Sequence, residues 1–283
     1  EMQRSLVGSE MCIRDSFSTN LARGQKGDLM IITDGTEVNT ANYVQSYSTS
    51  IANSWLSTSK YKYFVNQPVV SSQMRVWYNQ DLNSHYFILP GSISITMTLI
   101  GILLTALVVA REWERGTMEA LLSTQAKKID IVLGKYIPYF VLGMTSMFFN
   151  VFLCVGIFKV PFRGNYLILF AVSALFLFTL LGVGLTISSK LKNQFLASQV
   201  SLGIGFLPAL MLSGLMFPIN SMPKIFQLLT GILPPRYFIT FIESEFMAGT
   251  IWQVVLINAV FLTVLGILLF ILVYKSTDMR IVK

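Results

Sequence analysis

The densest set of chemically capable side chains in this chain is the run Arg111-Glu112-Trp113-Glu114-Arg115-Gly116-Thr117-Met118-Glu119-Ala120-Leu121-Leu122. Carboxylates and guanidinium groups alternate there with large apolar side chains, a mixture suited to recognition rather than bond making. Wound as one helix, the run sets an apolar edge of Trp113, Met118, Leu121 and Leu122 beside Glu112, Glu114, Arg115 and Glu119. Such a surface can lie along a membrane and offer a soluble protein both a greasy knob and salt-bridging groups. Catalytic arrangements are not in view. The lone histidine, His85, sits at the edge of an apolar run and reads as an interfacial polar residue, and no GxxxxGK[ST] is present to cradle nucleotide phosphates. The two cysteines, Cys12 and Cys154, stand outside any CxxC or Cys/His spacing that would imply a metal or disulfide framework. The expectation is a chain with no catalytic residue, no cofactor and no metal of its own.

The elements that must position this run are dictated by composition. The chain has 283 residues, 53% of them hydrophobic and only 12% charged, with a mean hydropathy of +0.62, far more apolar than a soluble domain of that length. Spanning the hydrocarbon core takes about 20 apolar residues in a helix. Five runs meet that length without Asp, Glu, Lys, Arg or His: 87–110, 136–158, 166–189, 195–217 and 251–274. The fold class is thus an α-helical polytopic membrane protein. The net charge of +7 is scattered between these runs, so topology accounts for it and nucleic acid is not implied. Runs without ionisable groups leave intramembrane hydrolysis unsupported, and ion-coupled carriers usually keep such groups inside their spans. Energy therefore enters elsewhere. Asn150 and Asn258 are the notable amides within the runs and read as interhelical glue.

Basic residues stay on the cytoplasmic side of a bilayer. Arg111, Arg115, Lys127, Lys128 and Lys135 follow the first run, Lys190 and Lys192 the third, and Lys275, Arg280 and Lys283 the fifth. The alternate connections hold Lys159 with Arg163, and Lys224 with Arg236. This predicts a cytoplasmic C-terminus, a cytoplasmic 111–135 connection, and residues 17–86 outside. In 17–86, Asp28-Leu29-Met30-Ile31-Ile32-Thr33 reads as a strand, Val44, Tyr47, Ile51 and Trp55 recur at helical spacing, and Met74, Val76 and Tyr78 alternate as a second strand. The expected unit is a small, partial α/β extracytoplasmic domain. Residues 1–16 resemble a translated sequencing adapter and are set aside from fold reasoning. A polar segment placed outside needs a span before it, so a sixth span is expected upstream. In 218–250, two short apolar stretches are broken by Pro234 and Pro235, and Glu243 and Glu245 follow. The region reads as a re-entrant helical hairpin at the outer mouth, or else as an interfacial amphipathic loop.

Several of these pieces carry a family resemblance. Residues 111–124, REWERGTMEALLST, are similar to the motif after the second span of ABC-2 type permeases, close to R-E-R-E-R-G-T-M-E-x-L-L. RVWYN at 75–79, YFILPG at 86–91, VPFRG at 160–164, LSGLMFP at 212–218, Met222-Pro223 and Pro235-Arg236-Tyr237-Phe238 resemble further segments of that family in the same order. The resemblance runs from about residue 27 to the C-terminus. It implies a six-span half-transporter of the subgroup with a large ectodomain between spans one and two, the visible spans being two to six.

What the resemblance implies for function is the permease subunit of an ATP-driven exporter in the bacterial inner membrane. It would pair as a homodimer or with a paralogous permease, and a separate ATPase would supply ATP and Mg. Arg111, Glu112, Trp113, Glu114, Arg115, Gly116, Thr117, Met118, Glu119 and Leu122 would form the coupling region, Trp113 departing from the family's usual basic residue. Pro218, Pro223, Pro235, Arg236, Tyr237, Glu243 and Glu245 would belong to the outer re-entrant region. Some members of the family export drugs and work with a periplasmic adaptor protein, which adds an adaptor to the implied partners beside the lipid bilayer. An ion-coupled secondary transporter and a non-transporting membrane sensor are the alternative classes.

Overall fold

Long apolar runs in a bilayer become helices because nothing in hydrocarbon can bond a free N–H or C=O. The computed structural model describes residues 9–13, 20, 27–34, 38–58, 70–77, 84–122, 124–125, 127–217, 219 and 222–276. Among them, five helices are long and apolar enough to cross a membrane: α2 (His85–Glu114), α4 (Lys128–Ile157), α5 (Tyr166–Leu191), α6 (Gln194–Met211) and α9 (Trp252–Ser276). At about 1.5 Å per residue, the 30 residues of α2 reach about 45 Å. A short helix α3 (Thr117–Leu122) follows α2. The pair α7 (Lys224–Thr230) and α8 (Pro234–Ala248) is bent by 84°.

Two boundaries differ most from the apolar runs. α4 begins at Lys128 rather than at Tyr136, because the Asp130 carboxylate accepts the Lys127 N–H at 3.2 Å and starts the helix about two turns earlier. α6 ends at Met211 rather than at Phe217. Leu212 leaves helical geometry and Gly214 takes φ +102°, a backbone conformation open to glycine.

The chain separates into two compact units, Glu1–Phe87 and Ile88–Lys283. In the first, β2 (Gly27–Asp34) pairs in parallel with β3 (Val70–Trp77), with α1 (Val38–Thr58) between them in sequence, the order of a β-α-β crossover. On the other side of β2, β1 (Ser9–Ile13) pairs antiparallel, giving the order β1-β2-β3. The adapter-like tail set aside from fold reasoning thus supplies a strand. The physical reason is that a free sheet edge is a row of unpaired N–H and C=O groups, and backbone pairing asks little of the sequence it recruits. The face that α1 turns inward also differs from the apolar stripe. Ala41 and Ser48 are buried, whereas Tyr47, Ile51 and Trp55 are exposed. Small side chains two turns apart let the helix lie close to strands β2 and β3, which it contacts. Tyr78 lies outside the described residues.

In the second unit α5 is the hub, in contact with α2, α4, α6, α8 and α9. Its N-terminus is capped by the Asn165 side chain, which accepts the Leu167 N–H at 2.9 Å. It ends at Lys192 in the left-handed region, φ +50°, and Asn193 at once caps α6 by accepting the Leu196 N–H. Aromatic stacking fixes the neighbours: Tyr136 meets Phe178 and Phe270 with centroids 5.1 and 5.4 Å away, and Phe176 lies flat on Phe238 at 4.2 Å. Thr179 Oγ1 donates to Leu262 O at 3.1 Å, a direct bond between α5 and α9. Asn150 instead donates to Ser146 O of its own helix, so it does not act as interhelical glue there, while Asn258 is buried. At Gly184 the approach is to the backbone of another helix, where an added Cβ would stand 2.8 Å from Ile102 O. That carbonyl belongs to Leu99–Leu104, a widened π-helical turn inside α2.

The Gly184 contact is with backbone, which cannot swing away. Gly184→Val should lower the detergent-solubilised thermal midpoint by several degrees, a loss of about 1–3 kcal/mol typical of overpacking. Gly203→Ala, where an added Cβ meets nothing within 4 Å, should leave the midpoint close to wild type. Equal midpoints for the two variants would refute the close-approach account.

Candidate functional site

The charged run 111–122 is an elbow rather than a single helix. Arg111, Glu112, Trp113 and Glu114 complete the last turn of α2. Gly116 then takes φ +71°, the left-handed position at which helices stop. The Arg115 N–H bonds Arg111 O at 3.1 Å and the Gly116 N–H bonds Trp113 O at 3.2 Å, and the Thr117 hydroxyl bonds Glu112 O. α3 then starts in a new direction. A continuous amphipathic helix over 111–122 is therefore not formed, because Gly116 spends its conformational freedom on the turn.

The break changes which side chains face outward. Met118 is 3% exposed, and Trp113 is half-buried with Lys192 Nζ 4.4 Å above its ring. Both line a void shared with Val109, Ile131, Val132, Lys135, Leu185, Ser189 and Val273, which come from α2, α4, α5 and α9. Glu112 forms an ion pair with Lys135 at the start of α4. Trp113 and Met118 thus anchor the elbow to the bundle and are not an apolar edge offered to a soluble partner. Arg111, Glu114, Arg115, Thr117, Ala120 and Leu121 are exposed. Glu119 and Leu122 belong to α3, but their side chains lie outside the described set. Next to the elbow, Lys128 sits 5.2 Å over the Tyr274 ring, joining the start of α4 to the end of α9.

Spans alternate in direction, so the α4–α5 connection and α7–α8 occupy the end of the bundle opposite the elbow. Pro223 precedes α7, and Pro235 stands in the first turn of α8, where a missing N–H is harmless. The 84° bend between α7 and α8 is pinned by Arg236, whose Nη1 donates to Thr230 Oγ1 at 2.6 Å. It is pinned too by the Tyr237 hydroxyl, which donates to Gly231 O at 2.8 Å. The Tyr237 ring stacks on Phe261 of α9 at 3.7 Å. Glu243 is half-buried, whereas Glu245 is 1% exposed. Its Oε2 accepts the Asn165 N–H and the Thr250 hydroxyl, both at 3.0 Å. Pro218 lies outside the described residues.

Sequence reasoning named Glu245 but not its partners Gly164, Asn165 and Thr250. The available signal was an acid set between Ile242 and Phe246-Met247, which is costly to bury unless donors are supplied from elsewhere. The described residues thus set a charged elbow at one end of an apolar bundle and a polar clasp at the other.

Comparison with known proteins identifies the family. The model of the ABC-2 family transporter protein matches residues 11–275. The "Probable multidrug ABC transporter permease YbhS" of Escherichia coli K12 is 42% identical over 283 residues, covering 99% of this chain and 75% of that protein. The "Probable multidrug ABC transporter permease YbhR" of the same organism is 29% identical over 258 residues, covering 86% of this chain and 68% of its own length. The "Inner membrane transport permease YhhJ", also of K12, is 25% identical over 245 residues, 86% of this chain and 65% of that protein. By this breadth of match the chain belongs to the ABC-2 transporter family, as the membrane permease of an ABC exporter whose ATP hydrolysis resides in a separate subunit.

Proposed function

We propose that the ATPase subunit, with its ATP and Mg, docks on the exposed side of the elbow through Arg111, Glu114, Arg115 and Leu121, and that its closure pushes α2 through the elbow. One observation carries this reading: the elbow is held to the bundle by Trp113, Met118 and the Glu112–Lys135 pair while Arg111, Glu114 and Arg115 are exposed. A lever needs a fixed end and a free end. Gly116 and Thr117 set its angle.

The basic connections place the elbow and the C-terminus in the cytoplasm of a bacterial inner membrane. The strands β1 to β3 with α1 then form a small α/β extracytoplasmic domain, and α7–α8 a re-entrant hairpin at the outer mouth, where a periplasmic adaptor would meet the permease. Substrate passes between two permeases, either two copies or this chain with a paralogue. Relatives named as multidrug permeases and the Phe- and Met-rich spans favour hydrophobic or amphiphilic cargo.

Glu114→Ala or Arg115→Ala should insert normally and lower ATP-dependent export and substrate-stimulated ATP turnover, by about ten- to a hundredfold if a charge-assisted contact of about 1.5–3 kcal/mol is lost. Coupling unchanged in both variants, or flux in ATP-free vesicles driven by an ion gradient alone, would refute the docking reading.

The anchored end is tested separately by a double-mutant cycle of Glu112→Gln and Lys135→Gln. Glu112 keeps a 37% exposed side chain, so the expected coupling energy in thermal stability is modest, about 1 kcal/mol. Strict additivity of the two variants would show that the pair does not hold the elbow.

A further inference from the structure

We propose that the Glu245 carboxylate is a latch on the outer mouth, holding the end of α8 against the first turn of α5, and that it opens during each transport cycle. The proposal rests on the exporter reading and deepens it by assigning the residue whose release a cycle requires.

One carboxylate oxygen gathers three segments. Glu245 Oε2 takes the backbone N–H of Asn165, the residue that caps α5, and the hydroxyl of Thr250, just before α9. Gly164 makes room for it, since any side chain there would overlap the carboxylate. Beside this clasp, Arg163 Nη1 donates to Met247 O at 3.1 Å, and Phe162 meets the edge of Phe246 with centroids 5.0 Å apart. The same two segments are thus joined by a charged acceptor, a guanidinium and an aromatic pair.

The other oxygen explains why this is a latch and not a permanent staple. Among the described residues no donor reaches Oε1, although the side chain is 1% exposed. A buried carboxylate half supplied with donors has given up hydration that it recovers when the mouth parts. The closed arrangement therefore gains from two hydrogen bonds and apolar contact and loses from one stranded oxygen. Recovered hydration of that oxygen favours parting of the clasp, which suits a mouth that opens and shuts. A purely structural anchor would satisfy both oxygens.

The test uses the full permease reconstituted with its ATPase subunit in nanodiscs. Thr250→Cys is labelled with an impermeant maleimide, first without nucleotide and then during ATP turnover. The expected result is labelling about tenfold faster during turnover, the scale of one charge-assisted hydrogen bond released. Glu245→Ala in the same background should label fast in both conditions. Glu245→Gln, which keeps an acceptor oxygen, should restore the slow nucleotide-free rate, a rescue that a general folding defect would not give. Bridging Asn165→Cys to Thr250→Cys should stop ATP turnover until reductant is added, and Arg163→Cys with Met247→Cys provides a second bridge if the first pair impairs assembly. Slow labelling during turnover, or full turnover with a bridge closed, overturns the latch while leaving the exporter reading intact. Failure of the wild-type permease to retain or modulate any ATPase would overturn both.

Discussion

A hydrocarbon layer about 30 Å thick offers no water to a polar group, and every other feature of this chain follows from obeying that constraint. The central stretches of the spans hold no Asp, Glu, Lys, Arg or His, so neither a proton relay nor a charged lever can be built in the middle. Charged chemistry is pushed to the two ends: Arg111, Glu112, Glu114, Arg115 and Lys135 at one, Arg163, Arg236 and Glu245 at the other. Whatever links the ends must be carried by packing.

The packing has the stiffness for that task. α5 touches every other span and α8, and its Gly184 lies against the carbonyls of Gly101 and Ile102 in α2. A close-packed contact with backbone on both sides transmits displacement without a side-chain rotamer to absorb it. Elbow, Gly184 contact and Asn165, whose N–H bonds Glu245, lie on two adjacent helices in close contact, so the lever proposed at the elbow has a contiguous path along which to act. Contiguity alone is not coupling, which requires an element with two states that both ends bias.

Much of this was legible in the residues. The five spans are fixed by uninterrupted apolar length, and the apolar run 28–33 lies within the strand Gly27–Asp34. What was not legible has specific causes. A lone glycine in a helical pattern costs about 1 kcal/mol and is often tolerated, so nothing in 111–122 announces that Gly116 turns the chain instead. An amphipathic edge does not declare which body it faces, hence Trp113 and Met118 were assigned outward although they pack inward. The stripe on α1 failed for the same reason: Tyr47, Ile51 and Trp55 have the spacing of a core face, but the sheet accepts the small residues Ala41 and Ser48. The donors of Glu245 lie about 80 residues earlier in the chain for Asn165 and 5 later for Thr250, and periodicity carries no information across the longer gap.

The two ends differ in one respect that bears on mechanism. The Glu112–Lys135 pair is uneven in its solvent contact: Glu112 keeps a 37% exposed side chain, whereas Lys135, 12% exposed, has given up most of its hydration and is answered by an opposite charge. Glu245 has surrendered nearly all of its exposure and is answered by neutral donors rather than by a cation on its accepting oxygen. Neutral donors offset the burial of a carboxylate less than a paired cation does. Both ends therefore carry a desolvation cost, the elbow through Lys135 and the clasp through Glu245, and they differ in what answers it: an opposite charge at the elbow, neutral donors at the clasp.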